Sequence, residues 1–71
     1  MSEANKRALQ QEMRLCLKDL KYYQSEQLRA KSEGNETYVQ SCEREIEKAR
    51  RQYNVAKTEY VDKYGPSGVP T

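Results

Sequence analysis

One short stretch near the middle of the chain decides its fold: residues 30–39 read AKSEGNETYV. Gly34 suits the left-handed conformation that commonly ends a helix, because it has no Cβ atom to clash there. Asn35 can then cap a following helix through its side-chain oxygen, and Glu36 would place a negative charge in the first turn, where the helix dipole favours it. This stretch therefore predicts the end of one helix, a tight turn and the start of another.

The rest of the chain carries few residues that would interrupt a helix. Ser2 followed by Glu3 is typical of a helix start, and the next glycine and the first proline after the turn are Gly65 and Pro66. We therefore predict helices over about residues 3–32 and 36–64, followed by an irregular tail over residues 65–71. Helices of about 29 residues, or roughly 43 Å, are more typical of a coiled coil than of a globular domain.

Apolar and small residues recur along both segments at alternating spacings of three and four residues. This is the heptad pattern of a coiled-coil seam, in which the a and d positions face the partner helix. The seam positions are Leu9, Met13, Cys16, Leu20, Tyr23, Gln27 and Ala30 in the first helix and Val39, Cys42, Ile46, Ala49, Tyr53, Ala56 and Tyr60 in the second. Because a short connection makes consecutive helices antiparallel neighbours, we predict an all-α, antiparallel two-helix coiled-coil hairpin. Such a hairpin can assemble into a bundle with a partner or a second copy.

The two stripes match each other if the turn sets Ala30 opposite Val39. Continued down the hairpin, this register gives the pairs Tyr23–Ile46, Leu20–Ala49, Cys16–Tyr53, Met13–Ala56 and Leu9–Tyr60. The next layer would set Lys6 against Lys63, so we expect the open end of the hairpin to fray or bend apart. The tail has only Val69 to bury, and we expect it to be disordered by itself.

Composition limits the functions that this chain can perform. Charged residues make up 34% of it and hydrophobic residues 35%, and it contains no histidine, the commonest general base and metal ligand. No catalytic constellation, phosphate-binding glycine loop or metal-ligand spacing is evident. We therefore expect a non-enzymatic protein with no cofactor, metal or small-molecule substrate. Without an apolar run of about 18 residues or a signal-peptide pattern, we also expect a cytoplasmic protein that does not bind membranes.

The two cysteines of the chain favour a reducing compartment. In the predicted register, Cys16 and Cys42 lie about 16 Å apart along the hairpin, whereas a disulfide needs Cα atoms within about 7 Å. An intrachain disulfide is therefore excluded. We interpret the cysteines as buried free thiols, which are common in protein cores. An intermolecular bridge or a redox sensor is the alternative.

One flank of the predicted seam, which we call the acidic flank, combines acidic residues with apolar ones. It consists of the acids Glu12, Asp19, Glu26, Glu45 and Glu59 and the apolar residues Leu15, Tyr22 and Val55. Antiparallel packing sets Glu12 against Glu59 and Glu26 against Glu45, which costs a few tenths of a kcal/mol per exposed pair. Either this repulsion is uncorrected on a solvated face, or the flank binds a protein with a basic surface or a second copy of this chain. We favour the second interpretation.

The leading functional hypothesis is therefore a non-enzymatic protein–protein interaction module. Small adaptors, inhibitors and assembly subunits, viral ones among them, belong to this class. Acids around a small apolar strip suit a partner whose lysines and arginines surround its own apolar anchors. The residues expected to bind that partner are those of the acidic flank.

A stripe of basic residues on the back of the first helix supports an alternative function. At 100° per residue, its members fall within about 80° of one another, and they extend over about 33 Å. The basic stripe consists of Arg7, Arg14, Lys18, Lys21 and Arg29. No acidic residue lies on this stripe between its first and last members. Such a stripe can follow the phosphates of a nucleic acid, so the alternative is a nucleic-acid-binding helical hairpin dimer. A basic face exposed to solvent is the simplest interpretation of the same residues.

Overall fold

The protein is a hairpin of two long helices. The computed structural model describes residues 3–71 and contains helix α1, Glu3–Ser32, and helix α2, Glu36–Tyr64. The helices pack against each other, and the molecule measures 49 × 17 × 14 Å. The predicted all-α helical hairpin is confirmed. The predicted N-cap, Ser2, lies outside the described residues.

The turn between the helices is formed by Gly34 and Asn35, the residues that predicted it. Gly34 has a φ of 71°, and the Asn35 amide donates to the Ala30 carbonyl at 2.9 Å while the Gly34 amide donates to the Lys31 carbonyl at 3.2 Å. This pair of bonds is the Schellman motif, which satisfies the last carbonyls of a helix. The Asn35 side chain then accepts a hydrogen bond from the Tyr38 amide at 3.2 Å and caps α2. The turn therefore fixes the antiparallel arrangement of the helices.

The core runs along the predicted seam. Every buried residue of the described chain is a seam position: Leu9, Met13, Cys16, Ala30, Cys42, Ile46, Ala49, Ala56 and Tyr60. The other seam positions, Leu20, Tyr23, Gln27, Val39 and Tyr53, are partly buried. Large and small side chains meet across the seam, so the helices can interdigitate. Burial of a full-sized apolar side chain contributes about 1.5–3 kcal/mol, and the seam thus accounts for most of the apolar burial that holds the hairpin together.

The register at the open end agrees with the predicted pairing, but the open end itself does not fray. Leu9, Met13, Ala56 and Tyr60 form one buried cluster, as the pairs Leu9–Tyr60 and Met13–Ala56 require. Beyond this cluster Tyr64 holds the helices together. Its hydroxyl accepts a hydrogen bond from the Asn5 side chain at 2.9 Å, and the Lys6 ammonium lies 5.9 Å from the centroid of its ring. The expectation that the open end would separate is wrong, because the tyrosine ring offers both a cation–π contact and a hydrogen-bond acceptor.

The tail over residues 65–71 also departs from expectation, because it folds back onto the hairpin. Gly65, with a φ of 82°, ends α2 and donates its amide to the Val61 carbonyl at 2.9 Å. Val69 then packs against the cluster at the open end, together with Tyr53 and Tyr64. We expected the tail to be disordered because it has one apolar side chain. Its carbonyls, however, accept hydrogen bonds from tyrosine hydroxyls that emerge from the seam.

Candidate functional site

The acidic flank presents apolar side chains to solvent. Leu15 is 51% exposed, Tyr22 57% and Val55 68%. The apolar positions of the opposite flank differ, because Leu17 and Tyr64 are partly buried and the tail lies beside them. We call that side, formed by Leu17, Tyr64 and residues 65–71, the covered flank. Another exposed leucine, Leu28, lies on the back of α1, outside both flanks.

Two of the predicted acids come together at a groove near the open end. Glu12 and Glu59 line a groove of 230 Å³ whose apolar wall includes Leu9, Ala56 and Val55. Arg51 and Gln52 line the same groove, and Glu59 forms an ion pair with Lys63 at 3.1 Å. The repulsion predicted between Glu12 and Glu59 is thus moderated by cations of α2. The groove remains open to solvent and combines carboxylates with an apolar wall.

The centre of the acidic flank contains a pair of tyrosine rings. The rings of Tyr22 and Tyr23 meet edge to face, with centroids 5.1 Å apart, a favourable arrangement for aromatic rings. Partial burial of Tyr23 raises the pKa of its hydroxyl, and the charges of Glu45 and Asp19 raise that pKa further. Both carboxylates therefore lie close enough to act on this ring. The seam residue Tyr23 supports the exposed ring of Tyr22, a contact that the heptad pattern does not indicate.

Glu26 differs from the other acids of the flank because its carboxylate has partners on both helices. Its carboxylate accepts hydrogen bonds from Arg29 at 2.7 Å and from the Tyr38 hydroxyl at 3.0 Å, and its side chain is only 19% exposed. The hydrogen bond to Glu26 raises the pKa of Tyr38 to about 12, with smaller contributions from burial and from the Glu26 charge. Glu26 thus ties α1 to α2 near the turn, and it is less accessible to a partner than the exposed Glu12, Asp19 and Glu59.

All members of the basic stripe are exposed along α1, and one of them is in an ion pair. Arg7, Arg14, Lys18 and Lys21 are exposed, and within residues 3–71 none of them forms an ion pair. Arg29 is instead paired with Glu26. Three of the exposed cations, Arg14, Lys18 and Lys21, line a groove of 500 Å³ together with Leu17 and the tail residues Gly68, Pro70 and Thr71. The tail thus lies beside the stripe, which the sequence did not indicate.

The two cysteines of the described chain lie in the core of the hairpin. Cys16 and Cys42 are free and buried. Burial raises the pKa of the Cys16 thiol, and the charges of Glu12 and Asp19 raise it further. Since the thiolate is the reactive form of cysteine, this environment disfavours nucleophilic or redox chemistry at Cys16. It fits the interpretation of the residue as a packed core side chain.

A further groove lies between the helices near the turn. This groove of 640 Å³ is lined largely by polar side chains, some of them positively and some negatively charged, including Gln24, Glu43 and Arg50.

Among residues 3–71, no group of histidine, cysteine or carboxylate side chains is arranged to hold a metal ion. No helix in that range has the length and apolar character needed to cross a membrane. Comparison with protein-family models, curated proteins and solved structures gave no match.

Proposed function

We propose that this protein is a non-enzymatic protein–protein interaction module that binds through its acidic flank. The observation that carries the proposal is that Leu15, Tyr22 and Val55 are each more than half accessible to solvent. They lie on the same flank as Glu12, Asp19 and Glu45, which form no ion pair within the described residues. A small adaptor, an inhibitor or an assembly subunit would each use such a surface. Free, buried cysteines favour a reducing, cytoplasmic setting for it.

The chemistry of the flank defines the partner that would fit it. Ionised carboxylates only accept hydrogen bonds, so the partner should present lysine or arginine side chains to Glu12, Asp19, Glu45 and Glu59. Long-range attraction would speed the encounter. Tyrosine is enriched among the residues that dominate binding energy, and Tyr22 would anchor the complex. The partner is a different protein with a basic surface or a second copy that presents its basic stripe.

Substitutions on the two sides of α1 test this proposal once a partner has been isolated from the native host by pull-down and mass spectrometry. Tyr22→Ala should weaken binding by about 2 kcal/mol or more, chiefly through faster dissociation. Asp19→Lys should slow association and change its salt dependence while the hairpin stays folded, because Asp19 is an exposed residue outside the seam. Surface plasmon resonance at two salt concentrations measures both rates.

Arg14→Glu is the matched control, since Arg14 is an exposed residue on another face of the same helix. It should leave the binding constants unchanged if the partner is a different protein. If Arg14→Glu abolishes binding while Tyr22→Ala and Asp19→Lys have no effect, the acidic flank is not the working surface. Sedimentation velocity of the isolated chain over a range of concentrations separates a second copy from a different protein, because in the absence of other proteins only self-association can change the sedimentation coefficient with concentration.

The basic stripe supports nucleic-acid binding as a second candidate function. Arg7, Arg14, Lys18 and Lys21 are exposed along α1 and form no ion pair within the described residues. Binding to phosphates weakens steeply as the salt concentration rises. For duplex DNA, the logarithm of the binding constant falls with the logarithm of the salt concentration with a slope of roughly −0.9 per phosphate contacted. A titration with duplex and single-stranded nucleic acid at two salt concentrations therefore tests this function. Salt-sensitive binding that Lys18→Glu abolishes, and that Tyr22→Ala leaves intact, would favour the stripe over the acidic flank.

A further inference from the structure

The tail lies in a groove of the hairpin that holds it through its backbone. Three tail carbonyls accept hydrogen bonds from hairpin side chains. These bonds run from the Tyr53 hydroxyl to Pro70 at 2.7 Å, from the Tyr60 hydroxyl to Ser67 at 2.9 Å and from the Gln10 amide to Gly68 at 3.1 Å. Recognition of carbonyls does not depend on the side chains of the bound segment. The same donors can therefore hold another extended peptide in the same place.

The groove also selects particular side chains. A Cβ atom on Gly68 would lie 2.8 Å from the Tyr60 hydroxyl and 3.2 Å from the Gln10 amide, so only glycine fits at that position. The next residue, Val69, packs on the buried cluster at the open end. Proline follows, and its lack of an amide hydrogen removes the need for an acceptor in the groove. The site thus favours the pattern glycine, apolar residue, proline.

A groove lined by basic side chains adjoins the bound tail. Beside Pro70 and Thr71 lies the groove of 500 Å³ that the exposed cations Arg14, Lys18 and Lys21 line. A peptide that carries acidic residues after its proline would reach these cations, whereas Thr71 brings no charged side chain to them. The groove beside the tail therefore has the chemistry to bind carboxylates.

We propose that this groove is a peptide-binding site whose resident ligand is the chain's own tail, and that a partner segment with glycine, an apolar residue, proline and then acidic residues displaces the tail. Grooves lined by aromatic side chains commonly bind extended, proline-containing peptides in this manner. The tail is tethered next to its site at Gly65, and such a short tether gives an effective concentration in the millimolar range. The tail consequently keeps weaker peptides out. This site is separate from the acidic flank, and neither proposal depends on the other.

Release of the tail in the full-length chain tests the proposal without altering the groove. Gly68→Val places a β-branched residue at a φ of 85° and against Tyr60, and Val69→Asp removes the apolar contact. The probe is a labelled peptide, GPSGVPTEE, followed by fluorescence anisotropy. Each variant should bind it at least about tenfold more tightly than the wild-type chain does, because the tethered competitor is gone. The NMR signal of the Thr71 methyl group, present in both variants, reports whether the tail has left.

Matched variants and peptides show whether the groove is the site of binding. Added to Gly68→Val, Tyr53→Phe removes the donor to Pro70 and should weaken peptide binding several-fold, whereas Tyr22→Phe, on the acidic flank, should not. The peptides GPSVVPTEE and GPSGVPTKK should bind more weakly than GPSGVPTEE. The proposal is overturned if the tail leaves and the peptide binds no more tightly. It is equally overturned if the Thr71 signal is unchanged in both variants, since the named contacts would then not hold the tail.

Discussion

The two flanks of the seam differ in what covers them. On the covered flank, the tail packs Val69 onto the core, and its carbonyls accept hydrogen bonds from Tyr53 and Tyr60. On the acidic flank, Leu15 and Tyr22 remain more than half exposed. One chain has thus supplied its own cover for one side and none for the other. The acidic flank is therefore the side of this hairpin on which no segment of the described chain covers the exposed apolar side chains.

Hydrogen-bond chemistry explains why the tail lies where it does. The tail presents carbonyls, which need donors. On the side of the covered flank, the hydroxyl and amide donors come from the seam residues Tyr53 and Tyr60 and from Gln10. The ionised Glu12 and Asp19 on the acidic flank are acceptors only. A segment rich in carbonyls would be poorly satisfied among carboxylates. The carboxylates of the acidic flank are instead matched in chemistry by donors that carry positive charge, as the proposed function expects.

The largest expected difference between the two sides of the hairpin comes from removing one tyrosine from each. Tyr60 is fully buried and its hydroxyl also holds the tail, so Tyr60→Ala should destabilise the hairpin by about 3–5 kcal/mol. Tyr22→Ala removes an exposed ring and one edge-to-face contact with Tyr23. It should cost under about 1 kcal/mol. Urea unfolding followed by circular dichroism measures both free energies.

A chain that is monomeric and free of partners is required for that measurement. If Tyr22→Ala then destabilised the hairpin as much as Tyr60→Ala does, the acidic flank would be an internal packing surface rather than an exposed one. The asymmetry on which the proposed function depends would be lost.

A smaller effect isolates the hydrogen bonds that hold the tail. Tyr53→Phe keeps the ring in the seam but removes the donor to the Pro70 carbonyl. We expect a loss of about 0.5–1.5 kcal/mol in the free energy of unfolding, the usual net value of one hydrogen bond. Tyr22→Phe on the acidic flank is the matched change. No loss should accompany it, and a loss equal to that of Tyr53→Phe would show that the Pro70 bond contributes nothing.

Much of the fold follows from local sequence patterns, because its determinants are local. The heptad spacing places the seam, and Gly34 with Asn35 builds the turn from residues adjacent in the chain. The placement of the tail could not be predicted in this way. Its contacts join residues as distant as Gln10 and Gly68, and they involve tyrosine hydroxyls, which a hydropathy pattern does not register.

The candidate site shows the same division between local and distant determinants. Heptad positions alone place Leu15, Tyr22 and Val55 outside the seam, and all three are exposed. The engagement of Glu26 by Tyr38, twelve residues away on the other helix, depends on side-chain geometry beyond the turn. Spacing therefore locates the acidic flank, but it does not show which of its acids are already partnered. What the flank binds remains a proposal that rests on its exposure and charge.

The smallest expected effect distinguishes Glu26 from the other acids of the flank. Because the Tyr38 hydroxyl donates to Glu26, the pKa of Tyr38 is raised to about 12 from its ordinary value of 10.0. Glu26→Ala removes both the acceptor and the charge, so the pKa of Tyr38 should fall back toward its ordinary value. An NMR titration of the ring signals of Tyr38 measures this change. Glu12→Ala, at the groove near the open end, is the control and should leave that pKa unchanged.

The same bond makes a small contribution to the pH dependence of stability, and its sign follows from the raised pKa. In the folded chain Tyr38 keeps its proton up to about pH 12, whereas in the unfolded chain it loses the proton near pH 10. The stabilising contribution is therefore fully present below about pH 10 and is lost as the pH rises from about 10 to about 12. Other tyrosines and lysines titrate in this range, so the informative quantity is the difference between the wild-type chain and Glu26→Ala. Unfolding free energies of the two chains should converge across that window. If their difference were constant from pH 9 to pH 12, the Tyr38 hydroxyl would not depend on Glu26, and Glu26 would be as available to a partner as Glu12 is.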